Sequence, residues 1–571
     1  MNFLGISNGE TSSACLFIDK NLVAACSEER FTRKKMDNTF PINSIKYCLK
    51  NLNLRLTDID VISYAWAKGY QENIATQNRK RLSLLNSNEE KNIFSERIKS
   101  EQARDISKRD EFWSWIEKQD LSKNTVVEDF YHHEAHAFSA CSMSNFDSCA
   151  VLTCDGRGDY ESLTFSIFDK KTQKLTKLFS SNSVDSLGFF YGRITGLLGY
   201  TPCRHEGKIT GLAAYSDPKI AINLMKKMIN FDGDEIRANL GSYYRPFYKN
   251  YDPILVKEIQ SFSKEQISAA AQSHLEECLT SLVKSLFFKH NLPKMALSIA
   301  GGVFGNVKVN QKLKELECIT KLFVQPQMGD GGLAIGAACG SLSKRKMEAN
   351  FASSMALGPI GGNEEFIDNL IDKNADKYTI SKLSEDDLIN NIVTNLSNND
   401  VVGLVRGRME FGPRALCQRS ILYKTSDKTC NDWLNKRMHR NEFMPFGPVM
   451  TNENASKYLI NYEENDISLK FMTCTSNVKN EFAKLCPAVT HVDNTARPQV
   501  VFKEVDPWLW SLLTKWKEIS GEPSLINTSF NQHEEPIICS YDEALINLDN
   551  GTVDTLVLDS VLIKKKVSKN D

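Results

Sequence analysis

Residues 149–180, CAVLTCDGRGDYESLTFSIFDKKTQKLTKLFS, contain the pattern that decides the fold. Three apolar runs in it, Ala150 to Thr153, Ser162 to Phe168 and Leu175 to Ser180, are separated by the turn Asp155-Gly156-Arg157-Gly158 and by a charged turn. Apolar runs of this length between clusters of Gly, Asp and Lys are typical of strands joined by tight turns. The stretch therefore predicts three consecutive strands that form a meander.

The same plan occurs at the start of the chain. Met1 to Ser7 is an apolar run, the turn Asn8-Gly9 follows, and a charged turn separates Ala14 to Ile18 from Leu22 to Ser27. Two meanders with a glycine turn at the same place are typical of the duplicated actin-like (ASKHA) architecture of actin, hexokinase and sugar kinases. In that architecture both glycine turns face one cleft and present backbone N–H groups to phosphate. We therefore expect an α/β fold with a duplicated, actin-like N-terminal domain.

Composition excludes several classes of protein. Lys and Arg number 70 and Asp and Glu 71, so a net charge of -1 gives no long-range attraction to nucleic acid or to an anionic membrane. The start lacks a basic region followed by an apolar one, and no apolar run approaches the ~20 residues of a membrane helix, so we expect a cytoplasmic protein. The fifteen cysteines form no CxxC pair, which disfavours a disulfide framework or a thiolate zinc site and predicts small buried side chains.

The chain is long enough for more than one domain. At 571 residues it exceeds what one compact core usually holds. Polar residues from Trp66 to Asp120 predict helices inserted at the edge of the first half, to which we assign no chemistry, and Ile267 to Lys289 has helical apolar spacing. A charged stretch followed by the Gly- and Pro-rich ALGPIGG at 356–362 predicts domains 1–350 and 351–571.

The second domain should also be α/β. Strand-like runs such as Val401 to Arg406 alternate there with helical stretches such as Glu385 to Leu396.

Three of the nine histidines fall between residues 132 and 136. On a helix His132 and His136 project from one face and are able to bind one ion, whereas His133 points elsewhere. Asp155, at the end of a strand and at the glycine turn, is placed to complete a site for Fe(II), Mn(II) or Zn(II). The alternative is a solvated helix face with chance histidines and a turn-forming Asp155.

Two further glycine clusters follow predicted strands. Gly301-Gly302, ahead of Asn306 and a helix-like stretch, would let the backbone approach a nucleotide at a helix N-terminus. Gly329-Asp330-Gly331-Gly332 places another carboxylate at a glycine turn, where Asp330 is either a fourth metal ligand or the N-cap of the next helix.

The second domain carries two polar loops. In GRMEFGPRAL, Arg414 follows a rigid Gly-Pro corner and Arg419 comes five residues later, which suits bidentate binding of phosphate or carbamoyl phosphate. Surface salt bridges are the alternative. Asn527, Thr528 and Ser529 offer small polar groups as a nucleotide loop would, although a plain polar turn explains them nearly as well.

These pieces, in this order, resemble the NodU/CmcH carbamoyltransferase family, which includes antibiotic enzymes acting on tobramycin and cephalosporins. The resemblance runs from residue 4 to about residue 536. The matching segments are LGISNGETSSACL, SEERFTRKK, HHEAHAFSA, LTCDGRGD, HEGKITGLAAY, AGGVFGN, GDGGLAIGAA, GRMEFGPRAL and NTSFN.

The resemblance implies an N-terminal domain similar to the threonylcarbamoyl-transferase fold and a YrdC-like C-terminal domain. The C-terminal domain would adenylate carbamate derived from carbamoyl phosphate, using ATP with Mg²⁺ and releasing pyrophosphate. Carbamoyl-adenylate would pass to the N-terminal domain, where an acceptor hydroxyl attacks its carbonyl and AMP leaves.

The resemblance also implies roles for individual residues. His132, His136, Asp155 and Asp330 would bind a divalent ion, with Fe²⁺ favoured over Mn²⁺ or Zn²⁺. Lys35, Lys208, Gly301, Gly302 and Asn306 would line the site of the intermediate. The upstream activation site would contain Arg414, Arg419, Arg440, Asn527, Thr528 and Ser529.

The sequence departs from the family pattern at several positions. Glu10 stands where the family usually has histidine, so Glu10 is a candidate base for the acceptor hydroxyl. In a segment that is usually basic, Met438 and Met444 replace two basic residues and Asn441 replaces an acidic one.

Other functions share parts of this pattern. A tRNA threonylcarbamoyl-type transferase would use the same fold and metal site, an actin-like ATPase or sugar kinase would leave both histidines without a role, and a non-catalytic homologue would fit the methionine replacements. The acceptor would be a hydroxyl of a sugar or another natural product, or a hydroxymethylated nucleobase within nucleic acid. The sequence does not define an oligomeric state.

Overall fold

The three-dimensional structure of the chain is a computed structural model that describes residues 1–69, 72–440 and 446–566. The chain divides into two compact units. The first comprises Met1–Glu28 and Asn38–Ala352, and the second comprises Glu29–Asp37 together with the chain from Ser353 onward. The segment Glu29–Asp37 thus belongs to the second unit, although it precedes the predicted boundary by more than three hundred residues.

Two five-stranded sheets and a small hairpin form the strands of the first unit. They are β1 (Asn2–Ser7), β2 (Ser13–Ile18), β3 (Asn21–Ser27), β4 (Val61–Tyr64), β5 (Val126–Asp129), β6 (Ser148–Gly158), β7 (Glu161–Asp169), β8 (Lys174–Asn182), β9 (Ile229–Phe231), β10 (Ile236–Ala238), β11 (Met295–Ala300) and β12 (Ile319–Val324).

The two large sheets have the same topology. Their strand orders are β3-β2-β1-β4-β5 and β12-β11-β6-β7-β8. In each, a three-stranded antiparallel meander is extended by two parallel strands beside its first strand. Both predicted meanders are therefore confirmed, and they begin two copies of one arrangement.

The predicted turn at Asp155-Gly156-Arg157-Gly158 is wrong. These residues continue β6, whose pairing with β7 is irregular between Cys154 and Gly158. The chain reverses at Asp159 and Tyr160, which have φ angles of 49° and 69°. Left-handed backbone is unusual for residues other than glycine, and the sequence therefore pointed to the glycines instead.

Helices surround the sheets of the first unit. They are α2 (Ile42–Lys50), α3 (Glu72–Ser83), α4 (Asn88–Ile116), α5 (His132–Cys141), α6 (Leu187–Leu197), α7 (Glu206–Leu212), α8 (Ile222–Lys226), α9 (Pro253–Ile259), α10 (Lys264–Lys289), α11 (Val307–Lys314) and α12 (Leu333–Lys344); α1 (Glu29–Thr32) lies in the second unit. The predicted helices between Trp66 and Asp120 and over 267–289 are confirmed.

Helices α5 and α12 pack against each other between the two large sheets. Helix α12 contacts β1, β2 and β4, whereas α5 contacts β6, β7 and β11. Small residues allow this close approach: a Cβ atom on Gly336 would lie 1.8 Å from the carbonyl oxygen of Ala135. The N-terminal ends of both helices lie beside predicted site residues, His132 in α5 and Asp330 just before α12.

The second unit is built on one mixed eight-stranded sheet with order β14-β24-β23-β15-β17-β22-β18-β21. Its strands and those of two small sheets are β13 (Ala356–Ile360), β14 (Tyr378–Lys382), β15 (Val402–Val405), β16 (Arg408–Glu410), β17 (Arg419–Lys424), β18 (Gly447–Thr451), β19 (Ser476–Asn477), β20 (Thr495–Ala496), β21 (Gln499–Val501), β22 (Leu525–Ser529), β23 (Thr555–Leu558) and β24 (Val561–Lys565).

Helices cover the sheet of the second unit. They are α13 (Glu364–Asn374), α14 (Glu385–Ser397), α15 (Cys430–Arg437), α16 (Asn452–Tyr458), α17 (Asn480–Leu485), α18 (Pro507–Ser520) and α19 (Tyr541–Asp549). Ile392 of α14 and Trp516 of α18 belong to the core cluster that includes Leu404 of β15. The predicted strand at 401–406 and helix at 385–396 are confirmed, and both units are α/β with mixed sheets.

All fifteen cysteines are buried or half-buried thiols, as predicted. Within the described ranges, no helix combines the length and the apolar character that crossing a membrane requires.

Candidate functional site

Helix α5 presents its histidines at its first turn. The backbone N–H of His132 donates to Asp159 Oδ2 over 2.7 Å, which satisfies one of the N–H groups that a helix leaves open at its start. The side chains of His132 and His136, one helical turn apart, are both fully buried. The predicted helix and the common orientation of these two imidazoles are therefore confirmed.

Asp155 and Asp330 meet the two imidazoles. His136 Nε2 lies 3.0 Å from Asp155 Oδ2, and His132 Nε2 lies 3.6 Å from the same oxygen. Asp330 Oδ1 lies 3.9 Å from His132 Nε2 and 3.8 Å from His136 Nε2. One ligand atom from each of the four residues lies within 4.8 Å of the others, so the structure brings together the four predicted metal ligands.

The buried polar atoms of this metal-ligand group suit a cation. Within the described part of the chain, His132 Nε2 is buried without a hydrogen-bond partner, as are Nδ1 of His132 and His136. Buried polar atoms usually have partners, so an imidazole nitrogen that faces two carboxylates without one is ready to coordinate an ion. Two nitrogen and two oxygen donors fit Fe(II), Mn(II) or Zn(II).

Three glycines allow the ligands to approach this closely. A Cβ atom on Gly158 would lie 2.1 Å from Cγ of His132, and one on Gly9 would lie 2.3 Å from Asp330 Oδ2. A Cβ atom on Gly302 would lie 3.0 Å from Asp155 Oδ1. The glycine clusters recognised in the sequence thus make room for side chains of the group, because any larger residue would displace a ligand.

Opposite charges stabilise the group. Burial lowers the pKa of His136, but hydrogen bonds to Asp155 and Asp330 outweigh it and raise that pKa to about 9. Burial raises the pKa of Asp155, but the two imidazoles outweigh it and hold that pKa well below its usual range. Since a coordinated imidazole must be neutral, a cation bound here would compete with a proton for His136.

His133 has a structural role. Its Nδ1 lies 2.7 Å from Thr153 Oγ1 and its Nε2 lies 3.1 Å from the carbonyl oxygen of Glu161. Burial, followed by the charges of the neighbouring histidines, holds its pKa well below the usual value. The prediction that His133 points away from the other two histidines is confirmed.

Glu10 supports the group through its backbone. Its N–H donates to Asp330 Oδ2 over 2.7 Å, and its carboxylate, 43% exposed, pairs with Arg104 of α4. Its role as a base stays a prediction. The alternative of Asp330 as the N-cap of the following helix is wrong, because Gly332 occupies that position and Asp330 opens a short 3₁₀ turn.

The remaining residues predicted to line the intermediate's site lie on several elements of the chain. Lys208, on α7, is buried with its Nζ 5.4 Å from the ring centroid of Tyr200, and Lys35 belongs to the segment Glu29–Asp37 of the second unit. Gly301, with φ of 114°, precedes Gly302 at the end of β11. The Asn306 amide donates to Gln272 Oε1 over 2.8 Å, and its oxygen accepts from the N–H of Val309 in α11.

Three arginines meet in the second unit. Burial, followed by the positive charges of Arg414 and Arg440, holds the pKa of Arg497 well below its usual range. Burial also lowers the pKa of Arg414, and lowers that of Arg440 to about 10. The three arginines are half-buried, and mutual repulsion of their guanidinium groups is costly unless an anion compensates it, so this arginine cluster (Arg414, Arg440 and Arg497) suits a phosphate.

The predicted nucleotide loop borders the arginine cluster. Arg440 donates to Thr528 Oγ1 and to Ser529 Oγ, both over 3.2 Å. Asn527 is buried, and its amide donates to Gln499 Oε1 over 2.6 Å and to the carbonyl oxygen of Ala415 over 2.9 Å. Thr528 and Ser529 are therefore placed beside the cluster, whereas Asn527 holds neighbouring backbone.

Arg419 is not available for phosphate, and this prediction is corrected. Its guanidinium is fully buried and donates to the carbonyl oxygens of five residues: Pro359, Arg406, Gly407, Gln418 and Cys539. These bonds use its donor groups. Arg419 thus joins several loops of the second unit and supports the fold.

The structure describes only part of the segment in which methionines replace two basic residues of the family pattern. Met438 is fully buried at the end of α15, where an apolar side chain packs well. Asn441 and Met444 lie outside the described residues.

The sequence did not identify some of the candidate functional residues. Arg497, in TARPQVV at 495–501, precedes a proline just as Arg414 follows one, and this was the available signal. Asp159 was assigned no role, and Glu101 and Asp105 of α4 were assigned no chemistry. Their four-residue spacing on a polar helix, shared with Arg97, would have indicated one charged face.

Comparison with known proteins gives the family. A family model for the carbamoyltransferase N-terminus matches residues 2–339, and one for the carbamoyltransferase C-terminus matches residues 393–565. An uncharacterized protein of Methanocaldococcus jannaschii is 32% identical over 98% of this chain and 99% of its own length. Nodulation protein NolNO of Sinorhizobium fredii is 30% identical over 97% of this chain and 79% of its own length.

A third relative agrees with these. Nodulation protein NolO of Bradyrhizobium diazoefficiens is 31% identical over 76% of this chain and 79% of its own length. The two family models together cover most of both compact units. The chain belongs to the carbamoyltransferase family.

Proposed function

We propose that the chain is an ATP-dependent O-carbamoyltransferase. Carbamate derived from carbamoyl phosphate reacts with ATP to give carbamoyl-adenylate and pyrophosphate, and an acceptor hydroxyl then takes the carbamoyl group while AMP and a proton leave. The observation that carries this proposal is the buried metal-ligand group of His132, His136, Asp155 and Asp330 in a chain of the carbamoyltransferase family. We further propose that the first unit is actin-like and the second YrdC-like.

The metal-ligand group supports a transfer site in the first unit. His132, His136, Asp155 and Asp330 would hold a divalent ion, which would supply a Lewis acid toward phosphate charge. Gly9 and Gly302 let Asp330 and Asp155 lie directly against the backbone of two glycine turns. Glu10, whose backbone N–H donates to Asp330 Oδ2, is our candidate for accepting the proton of the acceptor hydroxyl.

The arginine cluster supports an activation site in the second unit. Arg440 and Arg497 form no ion pair with a described carboxylate, so their charge remains for a phosphate or carbamoyl phosphate. Thr528 and Ser529 add hydroxyl groups at the same place. Separate sites for activation and transfer explain why one chain carries a metal-ligand group in its first unit and an arginine cluster in its second.

The acceptor is a hydroxyl of a sugar or another natural product. A hydroxymethylated nucleobase is chemically equivalent, and the net charge of -1 makes a free or loosely held nucleobase a better substrate than a long duplex.

Two variants test the separation of sites. His136→Ala should lose divalent-metal binding and carbamoyl transfer while carbamoyl-phosphate-dependent ATP/pyrophosphate exchange continues. Arg497→Gln should lower that exchange by roughly a hundredfold, because a charge-assisted bidentate contact is lost, while metal binding is kept. His290→Ala, at the end of α10, and Arg55→Gln, an exposed arginine, are the matched controls.

The outcomes distinguish the two-site carbamoyltransferase from the alternative functions. Loss of ATP/pyrophosphate exchange in His136→Ala, or loss of metal binding in Arg497→Gln, would contradict the two-site scheme. Formation of ADP instead of pyrophosphate would identify a kinase, and the absence of any turnover would identify a non-catalytic homologue.

A further inference from the structure

Helix α4 carries one charged stripe into the interior of the first unit and a second one along its more exposed side. Arg97, Glu101 and Asp105 follow each other at intervals of four residues and are all buried, Glu101 and Asp105 completely. Most of the other polar residues of α4 are exposed. Complete burial of carboxylates is costly unless partners compensate them, so Glu101 and Asp105 require ion pairs or hydrogen bonds.

The first stripe (Arg97, Glu101 and Asp105) contacts β6 where the pairing of β6 with β7 becomes irregular. Arg157 Nη1 lies 2.6 Å from Asp105 Oδ1 and 3.7 Å from Glu101 Oε1. The N–H of Tyr160 donates to Glu101 Oε1 over 2.7 Å. Arg157 is two residues from Asp155, in the part of β6 whose pairing with β7 is irregular, so α4 replaces the missing strand contacts there.

One turn further along, the stripe reaches the histidine helix. Arg109 pairs with Asp159, and Asp159 Oδ2 accepts the N–H of His132 over 2.7 Å. The chain of contacts therefore runs from α4 through β6 to the first residue of α5. It touches the segments that carry Asp155 and His132.

The second stripe contacts the glycine turn of the other sheet. Asn8 Nδ2 donates to the carbonyl oxygen of Lys108 over 3.1 Å and to Glu111 Oε2 over 2.8 Å. Arg104 pairs with Glu10, whose N–H donates to Asp330 Oδ2. Helix α4 thus connects the segments beside the metal-ligand group in both large sheets.

We propose that α4 is a clamp for the metal-ligand group, and that Asp105 is a positioning residue whose ion pair with Arg157 fixes the direction of Asp155 before a cation binds. This inference rests on the proposed function, because it presumes that the group binds a divalent ion. Without the pair, the irregular part of β6 between Cys154 and Gly158 loses its shortest contact with α4 and keeps only the longer contact of Arg157 with Glu101. Asp155 then samples several directions, and the ligand set must be ordered again at each binding event.

Co²⁺ binding by the full chain tests the clamp, because the visible absorption of Co²⁺ reports its coordination geometry independently of turnover. Asp105→Asn should bind Co²⁺ at least tenfold more weakly than wild type and give a changed absorption spectrum. The matched control is Asp110→Asn, the same change at an exposed position of α4, which should behave as wild type. Equal affinity and equal spectra for the two variants would overturn the proposal.

Two further measurements keep the result interpretable. If Asp105→Asn does not fold, Arg157→Lys keeps the charge but not the geometry of the pair; weaker Co²⁺ binding by it supports the clamp, and unchanged binding overturns it. If wild type binds no Co²⁺, or if His136→Ala binds Co²⁺ as well as wild type does, the metal-binding role in the proposed function is wrong. The clamp proposal is then wrong as well. If wild type binds through His136 and Asp105→Asn binds equally well, only the clamp is wrong.

Discussion

Lys470 is a half-buried lysine whose ammonium group lies over two aromatic rings. Its Nζ is 5.8 Å from the ring centroid of Phe471 and 5.5 Å from that of Phe502. Burial, only partly offset by Glu504, lowers its pKa to about 8. The side chain therefore costs the folded state free energy as long as it is protonated.

The sign of the resulting pH dependence is fixed. Between the folded pKa near 8 and the unfolded value of 10.5 the unfolded chain binds more protons, so stability rises with pH across this window. Between pH 7 and 10 we expect the free energy of unfolding of wild type to rise by on the order of 1 to 2 kcal/mol relative to that of Lys470→Met. This is less than the full pKa shift would give, because the side chain is partly exposed. Melting temperatures of both proteins at several pH values measure this. A constant difference would show that the ammonium is not desolvated.

The arginines show how much of the site could be predicted from single residues. Arg414 after a Gly-Pro corner was recognised, because local rigidity is visible in the sequence. Arg419, five residues later, has the same chemical type, yet backbone carbonyls use its donor groups. Which arginine faces a ligand depends on contacts between residues distant in the chain, and these have no local signal.

At the scale of elements, the contact between α5 and α12 determines how the ligands meet. His132 begins α5 and Asp330 lies just before α12, so a shift of one helix along the other would separate an imidazole from a carboxylate. The contact has no spare room, because a Cβ atom on Gly336 would lie 1.8 Å from the carbonyl oxygen of Ala135.

Gly336→Ala should therefore damage both the fold and the site. We expect a loss of about 1 to 3 kcal/mol from overpacking and weaker divalent-metal binding, since the helices must move apart. Gly207→Ala in α7 is the control: nothing lies within 4 Å of its added Cβ atom, and an alanine in a helix is neutral or slightly stabilising. Calorimetry and metal titration of both variants check this. Unaltered metal affinity in Gly336→Ala would show that the ligand group does not depend on this contact.

Elements with strong periodicity were predictable, and their ends were less so. The spacing of apolar residues located α10 and α14, because α14 buries one face and α10 does so from His274 onward. The end of β6 was misplaced, since extended backbone at Asp155 to Gly158 depends on α4 and on the turn at Asp159 and Tyr160. A strand that is held by a distant helix cannot be recognised from its own composition.

At the scale of the whole molecule, the repeated topology was predictable because both meanders have similar local patterns. The place of Glu29–Asp37 was not, because the segment is short, polar and next to β3 in sequence. In the second unit Arg33 donates to the carbonyl oxygens of Ile537 and Pro536 over 2.9 and 2.8 Å, and its Nε lies 2.9 Å from Glu543 Oε1. Arg30 donates to the carbonyl oxygen of Gly412 over 2.9 Å.

These bonds make the second unit dependent on a segment from the beginning of the chain. Arg33→Met should destabilise the second unit by roughly 3 kcal/mol, because it removes three hydrogen bonds from a charged group, one of them to a carboxylate. Lys34→Met, at the exposed neighbouring position, should have little effect. A fragment that begins at Ser353 should melt below the corresponding transition of the full chain, and a peptide of residues 29–37 should restore part of the difference. Limited proteolysis and calorimetry measure both effects, and a fragment as stable as the intact second unit would show that the segment contributes nothing to this fold.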